Sequence, residues 1–189
     1  MAENNALNVN AGKPKIGGAV FRAPIGTTLP TTATEDLNSA FENLGFISED
    51  GVVNSNTPST TSIKEWGGAV VMDIQTEKPD TFKMAFIEST NLNVLKTIYG
   101  EDNVTGDLST GVHVKVTTDE PPQQSLVIDM VLQNGAKRQV LPICKLTSLS
   151  DITYAGGDAV KYEVTFSCYP DSSGATHHEY IKIESTPSM

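Results

Sequence analysis

A chain of 189 residues with 38% hydrophobic content carries enough apolar material for one ordinary core with some length left over, which excludes a wholly disordered polymer. Its formal charge of −10 excludes tight nucleic-acid binding by counterion release, which needs clusters of Lys and Arg. The same acidity is compatible with lying beside DNA without adhering to it.

The charge is uneven. Residues 1–33 carry Lys13, Lys15 and Arg22 against Glu3, and residues 34–50 carry Glu35, Asp36, Glu42, Glu49 and Asp50 with no basic residue. The two stretches suit a contact between neighbouring copies, although the small worth of exposed ion pairs favours ordinary solvated charge. The polar start through Asn10 predicts no export signal, and no stretch predicts a membrane span. Cys144 and Cys168 are then expected to be reduced, and the sequon Asn103-Val104-Thr105 carries no meaning.

Residues 1–33 read as an arm. Val20, Phe21, Ile25 and Leu29 are scattered among Asn, Gly, Pro and Thr without helical or strand period. A short helix is predicted over 34–45, with Thr34 as N-cap and Leu37, Ala40, Phe41 and Leu44 on one face before Gly45. Phe46–Val53 reads as a strand interrupted by Glu49-Asp50-Gly51, and residues 54–61 read as a long polar loop. Ser62–Lys78 predicts one long strand in which Val70, Met72 and Ile74 alternate with Asp73, Gln75 and Glu77. Gly67 and Gly68 suggest a bulge or a close approach there, and the length suggests that the strand projects beyond the domain.

A turn at Pro79-Asp80 leads to a strand over Thr81–Glu88, with Phe82, Met84 and Phe86 on one face. Ser89-Thr90-Asn91 then caps a helix whose Leu92, Leu95, Ile98 and Tyr99 share a face and which Gly100 ends. After a polar loop at 101–111 the remainder reads as strand and turn. Val112–Val116 and Leu126–Leu132 alternate, and Asn134-Gly135 turns the second into a hairpin with Lys137–Thr147, where Pro142 marks an edge or a bulge. Val160–Phe166 and Tyr180–Ser185 complete the set. The sum predicts a mainly β protein, a β-sandwich or barrel of about 7–8 strands with one or two short flanking α-helices. Its expected organisation is an arm at 1–33, one sandwich domain at 34–185 and a tail at 186–189.

The chemistry of enzymes is missing from the motifs. There is no Gly-x-Ser-x-Gly elbow, and Gly12–Gly18 lacks the ending of a phosphate loop. His177-His178 beside Glu179 and Asp171 is the one metal-like cluster, but neighbours on a strand face opposite ways and cannot readily share an ion. Cys144 and Cys168 sit in apolar strands without a basic partner, as inert buried thiols do. Asp119-Glu120 abuts Pro121-Pro122 as a turn would. Trp66, the single Trp, reads either as a core anchor or as an interface anchor. No catalytic residue, cofactor or metal is expected.

Several strings, in order, point further. They are Ala-Pro-Ile-Gly-Thr-Thr-Leu-Pro at 23–30, Leu-Gly-Phe-Ile-Ser-Glu-Asp-Gly-Val at 44–52, Ile-Lys-Glu-Trp-Gly-Gly at 63–68, Phe-Ile-Glu at 86–88, Val-Leu-Lys-Thr-Ile-Tyr-Gly at 94–100 and Glu-Tyr-Ile at 179–181. Over about residues 20–184 the chain resembles the major tail (tail tube) proteins of long-tailed bacteriophages with non-contractile tails. The resemblance implies two packed sheets with a flanking helix, and hexameric rings stacked into a hollow tube with a continuous inner barrel. It implies ring-bridging roles for the N-terminal arm, a long inter-strand loop and the C-terminal end. It also implies an acidic lumen that conducts double-stranded DNA and the tape measure protein, and tail terminator and distal tail proteins at the tube ends. The protein would belong to the virion tail, assembled in the bacterial cytoplasm without membrane insertion.

Asp73, Glu77 and Asp129, on the polar faces of the long strands, are the expected lumen-facing acids. Lys13, Lys15 and Arg22 in the arm and Asn54, Asn56 and Pro58 in the loop are the expected inter-ring contacts. Leu92, Leu95 and Ile98 should pack inward from a helix on the outer flank. The alternatives are another virion sandwich protein (a tail terminator or head decoration protein), a carbohydrate- or receptor-binding module, and a hydrolase with an unusual site. Six Phe, five Tyr and one Trp leave few aromatics for a binding groove, and no nucleophile converges with a base.

Overall fold

The computed structural model describes Asn4 and residues 8–184. The strands are β1 (Lys13–Pro14), β2 (Val20–Pro24), β3 (Glu42–Asn43), β4 (Ile47–Ser55), β5 (Ser59–Lys64), β6 (Val70–Glu77), β7 (Thr81–Phe86), β8 (Val104–Asp107), β9 (Gly111–Val114), β10 (Gln124–Leu132), β11 (Gly135–Leu149), β12 (Tyr162–Tyr169) and β13 (His178–Ile183). One α-helix, α1 (Leu92–Tyr99), and a 3-10 turn at Glu101–Asn103 separate β7 from β8. The architecture is mainly β and antiparallel, consistent with the expected sandwich.

Nine strands form the main sheet, in the order β3-β2-β10-β11-β12-β7-β4, with β1 also on β10 and β13 also on β11. Val20 of β2, Leu126 and Ile128 of β10, Phe166 of β12 and Phe82, Met84 and Phe86 of β7 belong to one buried cluster. β3 and β4 stand at opposite ends of the strand order yet are joined by only residues 44–46, so the sheet curls over its own core. Val94, Leu95 and Ile98 of α1 join the same cluster. Each such side chain contributes about 1.5–3 kcal/mol on burial.

The hairpin expected at Asn134-Gly135 is present, with Leu132 opposite Gly135. β11 is long enough to serve two neighbours. Gly135–Val140 pairs with β13, and Ile143–Leu149 pairs with β12. Pro142 stands at the changeover, where the β10 register also shifts between Gln124 and Leu126. Proline has no N–H to give to a ladder, so a bulge inside the sheet is one of the places that admit it. The Ser125 hydroxyl donates to the Pro142 carbonyl at 2.7 Å.

Helix α1 follows from its sequence. The Asn91 side chain accepts from the Asn93 N–H at 3.0 Å, and the Gly100 N–H closes on the Lys96 carbonyl with φ at 95°. Leu95 and Ile98 are buried and Leu92 is half-buried against the core, while Val94, outside the expected stripe, is fully buried as well.

Three expectations need correction. No helix forms over 34–45, where residues 32–35 are bends, 39–40 are a turn and β3 follows at Glu42. Arg138 Nη1 donates to the carbonyls of Thr32 at 3.2 Å and Glu35 at 2.8 Å, and a helix would have committed the Glu35 carbonyl to its own ladder. A helix that short is marginal alone, so these tertiary contacts prevail. The arm is not an arm throughout: β2 lies in the main sheet beside β10, with Val20, Arg22 and Ala23 buried. The single strand over 62–78 is a hairpin instead. Among the described residues β5 and β6 pair with each other and with no other strand, Ser59 to Thr61 of the expected polar loop belong to β5, and residues 65–69 form the turn.

Candidate functional site

The β5–β6 hairpin carries the most unusual surface. Strand pairing places Ile63 opposite Met72 and Thr61 opposite Ile74 on one face, and the register then shifts so that Lys64 stands opposite Val70. Ile63, Val70, Met72 and Ile74 are all exposed, at 43% to 57%. The other face carries Ser62 opposite Asp73 and Thr60 opposite Gln75, the Ser62 hydroxyl donates to the Asp73 carboxylate at 2.6 Å, and a second register shift places Glu77 opposite Ser59 at the end of the ribbon. An amphipathic ribbon thus stands outside the core with its apolar face uncovered.

The tip of the hairpin is a held turn. The Gly68 N–H donates to the Glu65 carbonyl at 2.9 Å, with Gly68 at a φ of 91° that favours glycine. The Glu65 carboxylate accepts from the N–H groups of Gly67 at 2.7 Å and Ala69 at 3.1 Å. Those bonds, Gly67 first, lower its pKa. Trp66 rides on this turn in full solvent exposure. The expected alternatives for Trp66 were core or interface, and it is not in the core.

A groove of about 850 Å³ opens elsewhere, between the turn after β1 and the start of β4. Ile16, Phe46, Val52 and Met130 give it apolar walls, and no residue of β5 or β6 lines it. Ile16 and Phe46 are largely exposed.

The buried charged residues are paired within the fold, although Arg22 Nε is buried without a hydrogen-bond partner among the described residues. Asp129 is buried and bound by Arg138 through Nε at 2.6 Å and Nη2 at 2.8 Å, with Lys15 3.5 Å away. Its carboxylate does not stand free on a strand face, and it is withdrawn from the set of expected lumen acids. Arg22 is buried and forms ion pairs with Glu42 at 2.6 Å and with Glu101, so it holds β2 to β3 and to the end of α1 instead of reaching a neighbour. Asn54 donates to Asp80 at 2.7 Å and is an internal contact as well. Lys13 and Pro58 are exposed, and Asn56 is half-buried.

Asp80, read only as a turn residue in the sequence, is a hub. It also accepts from the Thr176 hydroxyl at 2.6 Å and lies 2.5 Å from His177 Nδ1. Burial pushes its carboxyl up, but the bonds from Thr176, His177 and Asn54 outweigh that and hold it below the usual range. His178 turns instead to Asp171, at 2.9 Å. The two histidines serve different carboxylates, and among the described residues no group of three or more His, Cys, Asp or Glu is placed to hold a metal. Cys144 and Cys168 face each other across β11 and β12 as free thiols. Burial pushes Cys168 up to about 12 and Cys144 well above its ordinary value, which suppresses the thiolate. No helix among the described residues is long and apolar enough to cross a membrane.

The sequence carried one sign of the uncovered face, the alternation through Met72 and Ile74. It carried no sign of Asp80, whose partners come from positions far apart in the chain. A model of the family described as "Phage tail tube protein" matches residues 1–188. No curated protein matches the chain.

Proposed function

The chain belongs to the phage tail tube protein family, structural proteins of the virion tail that assemble into a tube, and from that premise we propose that six copies form a ring and that rings stack around an acidic bore. The bore passes double-stranded DNA into the host and houses the tape measure protein until then. Tail terminator and distal tail proteins close the two ends, and assembly takes place in the bacterial cytoplasm. The protein carries out no catalysis.

The β5–β6 hairpin is the observation that carries this reading. A two-stranded ribbon is marginal alone in water, and a contiguous exposed apolar face marks an interaction surface. Ile63, Met72 and Ile74 are about half exposed, and among the described residues no other strand pairs with the ribbon. In a ring of copies, neighbouring subunits cover that face. Asp73 on the opposite face, and Glu77 at the end of β6, then turn to the bore. A negative wall repels phosphate, so DNA slides instead of binding. The net charge of −10 has the same sense.

Electron microscopy of the purified protein tests the proposal. Hollow tubes with six subunits per ring are expected. Monomers or unstacked rings at high concentration would contradict it, single rings favouring a terminator. The bore is tested separately by Asp73→Lys with Glu77→Lys, which should leave tube formation intact and slow genome delivery. Undiminished delivery would remove these acids from the bore.

A further inference from the structure

The chain carries an exposed aromatic tip and, apart from it, an apolar groove. The tip is Trp66, the only tryptophan, with a relative exposure of 103% on a turn already fixed by Glu65. No part of the hairpin lines the groove. We propose that Trp66 of one copy docks in the groove of the next, against Phe46, Met130 and Ile16.

Size and charge agree. The groove lies within the usual range of binding pockets, about 300–1,000 Å³, so an indole and its flanking turn fit. Glu49 and Asp50 stand exposed at its mouth, and Lys64 precedes the turn that bears Trp66. The Lys64 ammonium can meet those carboxylates as the ring enters. Trp is the residue most enriched where binding energy concentrates, and a turn held by its own hydrogen bonds loses little freedom on docking. The two surfaces differ, so the contact is heterologous. Such a contact repeats from copy to copy, closing as a ring or propagating as a filament, and leaves no copy self-satisfied. The inference rests on the self-assembly proposed above and assigns its anchor.

A single tryptophan makes the test direct. On assembly, Trp66 emission should shift to the blue and acrylamide quenching should fall several-fold. Trp66→Ala should raise the concentration needed for assembly about thirty-fold, the size of a hot-spot truncation. Phe46→Asp should do the same from the groove side. Both residues are exposed, so the monomers should keep wild-type circular dichroism. Mixed together, the two variants should form heterodimers that neither forms alone, since one tip and one groove remain intact. Tubes in which Trp66 stays as quenchable as in the monomer would overturn this contact and leave tube assembly standing. A wild-type protein that never assembles would overturn both.

Discussion

Asp129 and Arg138 sit opposite each other on β10 and β11 and are joined by two parallel hydrogen bonds, with both side chains buried. The remaining guanidinium nitrogen binds the carbonyls of Thr32 and Glu35. One arginine thus neutralises a buried acid and also anchors the irregular segment that leads to β3.

Arg138→Met should destabilise the monomer by about 3–5 kcal/mol, because it leaves the Asp129 charge buried without a partner other than the more exposed Lys15. Urea denaturation measures the loss. Adding Asp129→Asn should restore part of it. A double variant no better than Arg138→Met would mean that the carbonyl contacts, not the charge, set the cost.

Asp80 gives the fold an acid sensitivity of definite sign. Its carboxyl has a lower pKa in the folded protein than when unfolded. The stabilisation is therefore complete above the ordinary carboxylate range, about pH 4, and is lost as pH falls through the folded value. Asp80→Asn should lower the urea midpoint at neutral pH, and its gap from wild type should narrow under acid. A constant gap would remove the charge from the argument.

The apolar face of the ribbon should matter to assembly and hardly to folding. Met72→Asp and Ile74→Lys replace exposed residues, so monomer stability should change by no more than about 0.5 kcal/mol. Sedimentation should show that tube formation is lost. Tubes of normal length would indicate that neighbours do not cover this face.

Truncation should divide the N-terminal region in two. Removing residues 1–12 keeps β1 and β2 and should leave a folded monomer by circular dichroism, one that no longer forms long tubes if the arm bridges rings. Removing residues 1–24 deletes β2 with buried Val20 and Ala23 and should abolish the cooperative unfolding transition.

Alternation was the part of the fold that could be read in the chain. Phe82, Met84 and Phe86 declared β7, and Asn134-Gly135 declared the β10–β11 hairpin, because both signals are local. The misreadings share one cause. Val20-Phe21-Arg22-Ala23-Pro24 has no period because β2 lies inside the sheet, where both faces can be covered. Leu37, Ala40, Phe41 and Leu44 do have helical spacing, but Arg138 takes the Glu35 carbonyl from far along the chain. At the hairpin, Gly67-Gly68 was visible as an irregularity, and pairing β5 with β6 needed the turn that Glu65 holds. Whether Asp73 or Asp129 stands free is a tertiary fact. Both occupy polar positions on alternating strands, and only the partner across the ladder, Ser62 for one and Arg138 for the other, tells them apart.

The pairing of β2 with β10 also bears on how each subunit is made. Val20 lies opposite Ile128, with most of the chain between them. On a ribosome, the first core strand must wait for its neighbour to be synthesised, and closure of so long a loop slows folding. The β5–β6 ribbon, adhesive and complete much earlier, emerges in that interval. Newly made chains should therefore be vulnerable to premature association until β10 captures β2, and coexpressed chaperone should raise the yield of soluble subunit.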